Sequence, residues 1–155
     1  MRPRERRLEA DLREVAALAA TGKLSFQSEG SPPERYVVEL HTAGLGRDGE
    51  GLPELLDRHV FEVYLPIDYP RRPPLLQWQT PIFHPNILPP DRHGAVCIGT
   101  WTASESLADL CSRLYDLVAY KSFSIDDPLD RRAAAWVRHA AIKQGDDLRE
   151  VLAGV

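Results

Sequence analysis

Residues 66–97 read PIDYPRRPPLLQWQTPIFHPNILPPDRHGAVC, and the fold turns on how this stretch is read. Pro66, Pro70, Pro73, Pro74, Pro81, Pro85, Pro89 and Pro90 punctuate it. Each proline removes a backbone donor and biases the residue before it away from helix, so the stretch cannot be helical. Only Leu75 to Trp78 favours strand. The rest is a rigid, irregular surface dividing a strand-rich half of the chain from a helix-rich half.

On the N-terminal side, Leu8, Leu12, Val15 and Ala19 recur at helical spacing and Thr21-Gly22 follows as a stop. The first twenty residues therefore read as one amphipathic helix. Strand is favoured from Leu24 to Gln27, from Arg35 to Thr42 and from His59 to Leu65. Tyr36, Val38 and Leu40 alternate with Val37, Glu39 and His41, and Phe61, Val63 and Leu65 alternate with Glu62 and Tyr64, the period of half-buried antiparallel strands. A meander is the economical topology. Residues 43–58 are glycine-rich and long for a hairpin connection, so a variable loop is expected there, with one turn of helix at Glu54 to Leu56.

On the C-terminal side helix resumes after Trp101. Thr102 with Glu105, or Ser106 with Asp109, can cap it, and Leu107, Leu110, Cys111, Leu114, Leu117 and Val118 form one apolar stripe that places Cys111 in the core. A further helix is expected near Asp127-Pro128, with Leu129, Ala133, Trp136 and Ala140 inward, and a short last one from Asp146 to Leu152. Strands followed by helices make an α+β chain. No repeat or linker divides it, and residues 1–155 are expected to form one domain.

A hydrophobic share of 43% with 27% charged residues is that of a folded protein rather than a disordered one. The net charge of −4 gives no global attraction to nucleic acid. Basic residues nonetheless crowd the start at Arg2, Arg4, Arg6 and Arg7. They read either as a solvated helix face laced with Glu5, Glu9 and Glu14 or as a docking face for an acidic partner. Two cysteines make no disulfide framework and fit a reducing cytoplasm. The longest apolar stretch of the N-terminus, Val15 to Ala20, is far short of a membrane span, so no membrane partner is expected.

Several segments carry a resemblance. They are Tyr69-Pro70 through Pro73-Pro74, Trp78, Thr80 through Ile87 with its His84-Pro85-Asn86 tripeptide, Gly94-Ala95-Val96-Cys97-Ile98, Trp101, and Asp126-Asp127-Pro128-Leu129. In order and approximate spacing these resemble the ubiquitin-conjugating enzyme family across most of the chain. The resemblance implies that family's fold: an N-terminal helix, a four-stranded antiparallel meander, an active-site loop, then C-terminal helices. It also implies an activity, in which a ubiquitin-like modifier is accepted as a thioester on Cys97 from an activating enzyme and transferred to an amine. No cofactor and no metal are implied. A ligase or a direct protein substrate completes the implied partners.

A thiol with a pKa of ~8.5 is a few per cent thiolate at neutral pH and strongly nucleophilic, so Cys97 needs no dedicated base. By resemblance, the Asn86 amide steadies the active-site loop or donates to the oxyanion formed when an amine attacks, and His84 and Pro85 brace the loop. Asp127 matches the family's acidic residue near the attacking lysine, and as an aspartate before proline it is also a candidate helix cap. An amine with a pKa of ~10.4 must be desolvated, oriented or deprotonated before it attacks.

The pattern also departs from the family. Leu88 stands where a tyrosine is common, Pro89 to His93 are extra, the Cys97 to Trp101 interval is short and lacks an acidic neighbour, and Arg71-Arg72 and Thr102-Ala103 replace an aromatic and a Ser-Pro. Arg71, Arg72 and Trp101, with Arg4, Arg6 and Arg7, are accordingly candidates for partner binding of an altered kind. A composition heavy in leucine, alanine and arginine suggests a bacterial source. The competing readings are a non-catalytic module of the same fold that binds the modifier, which Cys97 argues against, and a cysteine hydrolase using His84 or His93, which no papain-like signature supports.

Overall fold

The computed structural model describes residues 2–154. Helix α1 (Pro3–Ala19) begins with proline in its first turn, where a missing N–H costs nothing. Four strands follow, β1 (Leu24–Gly30), β2 (Pro33–Arg47), β3 (Pro53–Tyr64) and β4 (Leu75–Trp78), in the antiparallel order β1-β2-β3-β4. This is the expected meander. One register row, Phe26↔Val38↔Phe61↔Trp78, crosses the whole sheet. Val38, Phe61 and Trp78 in that row are fully buried, and Trp78 stacks on Phe61 with centroids 5.4 Å apart. Each such side chain contributes about 1.5–3 kcal/mol by leaving water.

Residues 43–58 do not form the expected loop or its turn of helix. β2 continues to Arg47 and β3 begins at Pro53, so only 48–52 turn the chain. The glycines there serve close packing: a Cβ on Gly44 would stand 2.7 Å from the His59 ring and from Val118, and one on Gly46 would stand 2.4 Å from Leu56. The extended hairpin buries Leu45 in a second core with Phe83, Tyr120, Val137 and Leu148.

Helix α2 (Leu107–Val118) starts in a capping box, Ser106 accepting from the Asp109 amide and Asp109 from the Ser106 amide. Leu107, Leu110, Cys111, Leu114 and Val118 are its buried face, as the stripe requires. Helix α3 (Arg131–Ala140) begins later than Asp127-Pro128: Asp130 caps it by accepting from Ala133 N. Leu129, expected inward, is 37% exposed. Helix α4 (Leu148–Ala153) is capped by Asp147.

A fully buried carboxylate joins α1 to α2. Asp11 accepts from Arg7 Nε at 3.0 Å, from the Tyr69 hydroxyl, and from the backbone N–H of Leu107 at 3.0 Å. Leu107 opens α2, so its amide lacks an intrahelical partner and lies at the positive end of the helix dipole. Arg7 also donates to the carbonyls of Ala103 and Glu105, drawing in the segment before α2.

Candidate active site

The site is built from the proline-rich stretch. His84 is fully buried, with Nε2 2.7 Å from the Leu117 carbonyl and Nδ1 2.9 Å from the Asn86 backbone N–H. These partners require the neutral ring protonated on Nε2, which donates to Leu117 while Nδ1 accepts. Burial lowers its pKa to about 3, with nearby His59 lowering it further and the Leu117 carbonyl opposing. A ring so held is no proton shuttle at neutral pH; its two hydrogen bonds join the Leu117 carbonyl to the Asn86 backbone. Pro85 contributes its carbonyl, which accepts from Leu129 N at 2.8 Å and Asp130 N at 3.1 Å and so ties the loop to the entry of α3.

Asn86 is 6% exposed and its side-chain amide is clamped on Ser124: Nδ2 donates to Ser124 O and Oδ1 accepts from Ser124 N, each at 2.9 Å. Its backbone carbonyl accepts from Cys97 N at 2.9 Å, and Leu88 N donates to Ala95 O at 2.8 Å, so a short antiparallel ladder leads directly to the thiol. The extra residues Pro89 to His93 fold into a 3-10 turn (Pro90–Arg92) and leave His93 exposed. Gly94 follows at φ +61 with its carbonyl accepting from Trp78 N at 2.9 Å; a Cβ there would stand 2.6 Å from Trp78 O. Only glycine lets the loop approach the edge of β4 so closely.

The chain then emerges at Cys97, which is exposed, whereas Cys111 is buried and its thiol pKa is raised to about 12 by desolvation and by Asp11. Cys97 opens on a groove of about 380 Å³ lined in part by Asn86, Arg113, Asp116, Phe123 and Ser124. The structure thus brings together Cys97 and Asn86, with His84 and Pro85 beneath. Asp127 does not line that groove: it stands exposed at φ +49, and it is not the cap of α3. Ser124, Arg113 and Asp116 do line the groove, and no sequence motif singles them out.

The basic residues divide. Arg4 donates to the carbonyls of Leu65 and Pro66 at 3.1 and 3.0 Å, and Arg7 to Asp11 and its surroundings, so both brace the fold from within. Arg6 and Arg71 are exposed, and Arg72 pairs with Asp68 at 3.4 Å. Trp101 is half-buried, donating from Nε1 to the Pro70 carbonyl at 2.8 Å and packing on Tyr69.

The "Ubiquitin-conjugating enzyme E2 1" of Schizosaccharomyces pombe is 40% identical over 58 residues, covering 37% of this chain and 26% of that protein. The "Ubiquitin-conjugating enzyme E2 T" of Mus musculus is 30% identical over 134 residues, covering 81% and 60%. The chain spans less than two thirds of the length of the curated relatives it matches. Among solved structures, the E2 domain of a Toxoplasma gondii ubiquitin-conjugating enzyme superposes with a TM-score of 0.60 at 23% identity, covering 84% of this chain and 86% of that one, a likeness of fold. These relatives are eukaryotic and lend no support to a bacterial source. The family model described as "Ubiquitin-conjugating enzyme" matches residues 57–148, more than half of the sequence, and the chain belongs to the ubiquitin-conjugating enzyme family.

Proposed function

We propose that the protein is a ubiquitin-like protein conjugating enzyme, with residues 1–155 acting as one catalytic domain. An activating enzyme's thioester is exchanged onto Cys97, and the acyl group then passes to the amine of a lysine. The observation that carries this reading is the exposed Cys97 thiol on a groove it shares with Asn86, its own backbone N–H bound to the Asn86 carbonyl. A non-catalytic binding module of the same fold would have no use for that arrangement.

In this reading the Asn86–Ser124 clamp steadies the loop, and the Nδ2 hydrogen not directed at Ser124 is a candidate donor to the oxyanion. Asp127 orients the incoming amine or receives its proton from the rim. It is supported by an exposed carboxylate that capping does not engage, close in sequence to Ser124 on the groove. Desolvation on the approach to the thioester supplies the lowering of the amine pKa that a carboxylate alone would oppose.

The partners proposed are the modifier, its activating enzyme, and a ligase or direct substrate met by a face including Arg6, Arg71, Arg72 and Trp101. Among the described residues no helix is long and apolar enough to cross a membrane, and two free cysteines support a cytoplasmic setting. Composition is the support for placing the pathway in a bacterium.

The test is charging. With a cognate activating enzyme, modifier and ATP, a thiol-sensitive adduct forms on a non-reducing gel and disappears in Cys97→Ala. Stable modifier binding without charging, under conditions that load a control enzyme, establishes the binding module instead.

A further inference from the structure

The main chain before Cys97 is held by the ladder from Asn86 and Leu88, but the main chain after it has no comparable support. Ile98 to Trp101 adopt no regular structure, and Gly99, at φ +69, has nothing within 4 Å of the position a Cβ would take. Among the described residues, one hydrogen bond reaches the backbone of this segment: Arg113, on α2, donates through Nη1 to the Ile98 carbonyl. Arg113 is itself fixed. Glu105 grips the guanidinium at two points, Nε to Oε2 at 2.7 Å and Nη2 to Oε1 at 3.0 Å, and the Glu105 side chain is only 15% exposed. The Glu105 backbone is held in turn, its N–H donating to Thr102 O at 3.0 Å and its carbonyl accepting from Arg7.

This is more than a surface ion pair. A two-point carboxylate contact orients the planar guanidinium and leaves one N–H aimed at the Ile98 carbonyl, one residue past the nucleophile. Arg113 also lines the groove beside Cys97. The nucleophile is therefore restrained from both directions, by Asn86 before it and by Arg113 after it.

We propose that Arg113, held by Glu105, is a positioning residue for acyl transfer at Cys97: its bond to the Ile98 carbonyl orients the thioester toward the Asn86 side of the groove. The inference rests on the conjugating function proposed above. In the step concerned, the amine nitrogen forms the new C–N bond and the C–S bond breaks. Sulfur leaves with the electron pair as the Cys97 thiolate, and the proton lost by nitrogen goes to solvent or a carboxylate. Arg113 touches none of these atoms. It acts through the backbone.

The experiment uses the full chain, loaded with a peptide ending in glycylglycine and supplied as an aryl thioester, and follows its discharge to free lysine by intact mass. Arg113→Met is expected to lower the single-turnover rate constant at saturating lysine roughly tenfold to a hundredfold, the scale of a displaced reacting group, with the half-saturating lysine concentration unchanged. Arg113→Lys, which keeps a charged donor in reach of the Ile98 carbonyl, recovers part of that rate. Glu105→Gln, which loosens the guanidinium without touching it, falls between wild type and Arg113→Met and carries the test if the latter does not fold. A rate within twofold of wild type in both Arg113→Met and Glu105→Gln overturns the proposal, as does an Arg113→Lys variant no faster than Arg113→Met. Wild-type protein that loads but never discharges to lysine defeats the conjugating function itself, and the positioning role falls with it.

Discussion

Lowering the pH from 7 to 5 is a direct probe of the buried His84 ring beneath the candidate active site. His84 is held neutral in the fold, its pKa lowered to about 3 chiefly by burial, while the unfolded ring titrates near its ordinary ~6.5. Between those values the unfolded chain binds a proton that the folded chain does not, so stability is full above the unfolded pKa and declines as pH falls below it. At pH 5 this one group weakens the fold by about 2 kcal/mol relative to pH 7. His59, whose pKa is also lowered by burial, acts in the same direction. The window lies above the ordinary range of Asp and Glu carboxyls, near 3.9–4.3, so the histidines dominate it. Urea unfolding at the two pH values measures the loss, and the His84 ring resonances, followed by NMR, stay unshifted down to pH 5. Equal stability at both pH values, or a His84 titration centred near 6.5, refutes the buried neutral ring.

Three substitutions extend the account. Asp11→Ala leaves the Arg7 guanidinium, the Tyr69 hydroxyl and the first amide of α2 without their shared acceptor, and thermal or urea unfolding should register a loss of about 3–5 kcal/mol. Gly94→Ala forces a Cβ into the backbone of Trp78 at a positive φ; a loss of more than about 1 kcal/mol is expected by the same measurement, with an unchanged value arguing against the close approach. Asn86→Ala removes both bonds to Ser124, and single-turnover kinetics should show Cys97 still loading while transfer to lysine slows about 10²–10³-fold, the scale of a lost oxyanion donor.

Where side-chain pattern controls structure, the sequence is readable. The spacing of Leu8 and Val15 marks α1, the alternation around Val38 and Phe61 marks the meander, and Ser106 with Asp109 marks the start of α2. The misreadings have physical causes. Gly44 and Gly46 carry the composition of a turn, yet their missing side chains make room for His59, Val118 and Leu56, so the hairpin runs on. Asp127-Pro128 has the chemistry of a helix start, but the Pro85 carbonyl captures the amides of Leu129 and Asp130 and delays α3 until Asp130 can cap it.

The site divides in the same way. Cys97, Asn86 and His84 are recognisable because what they bring to the candidate site, an exposed thiol, an amide clamped on Ser124 and a buried ring, is carried by their side chains. Ser124 holds Asn86 through its own N–H and C=O, which any residue other than proline would present, so nothing in its identity marks it. Arg113 acts on a backbone carbonyl far from it in sequence, and on α2 it reads as one more polar residue opposite the apolar stripe.

Replacing one sulfur by oxygen is the most direct trial of the central claim. Cys97→Ser, incubated with activating enzyme, modifier and ATP, should accumulate an ester that survives thiol reductant and yields to alkali, where the wild-type adduct is released by reductant alone. A thiol-labile adduct persisting in Cys97→Ser would contradict the assignment of the acyl carrier to Cys97.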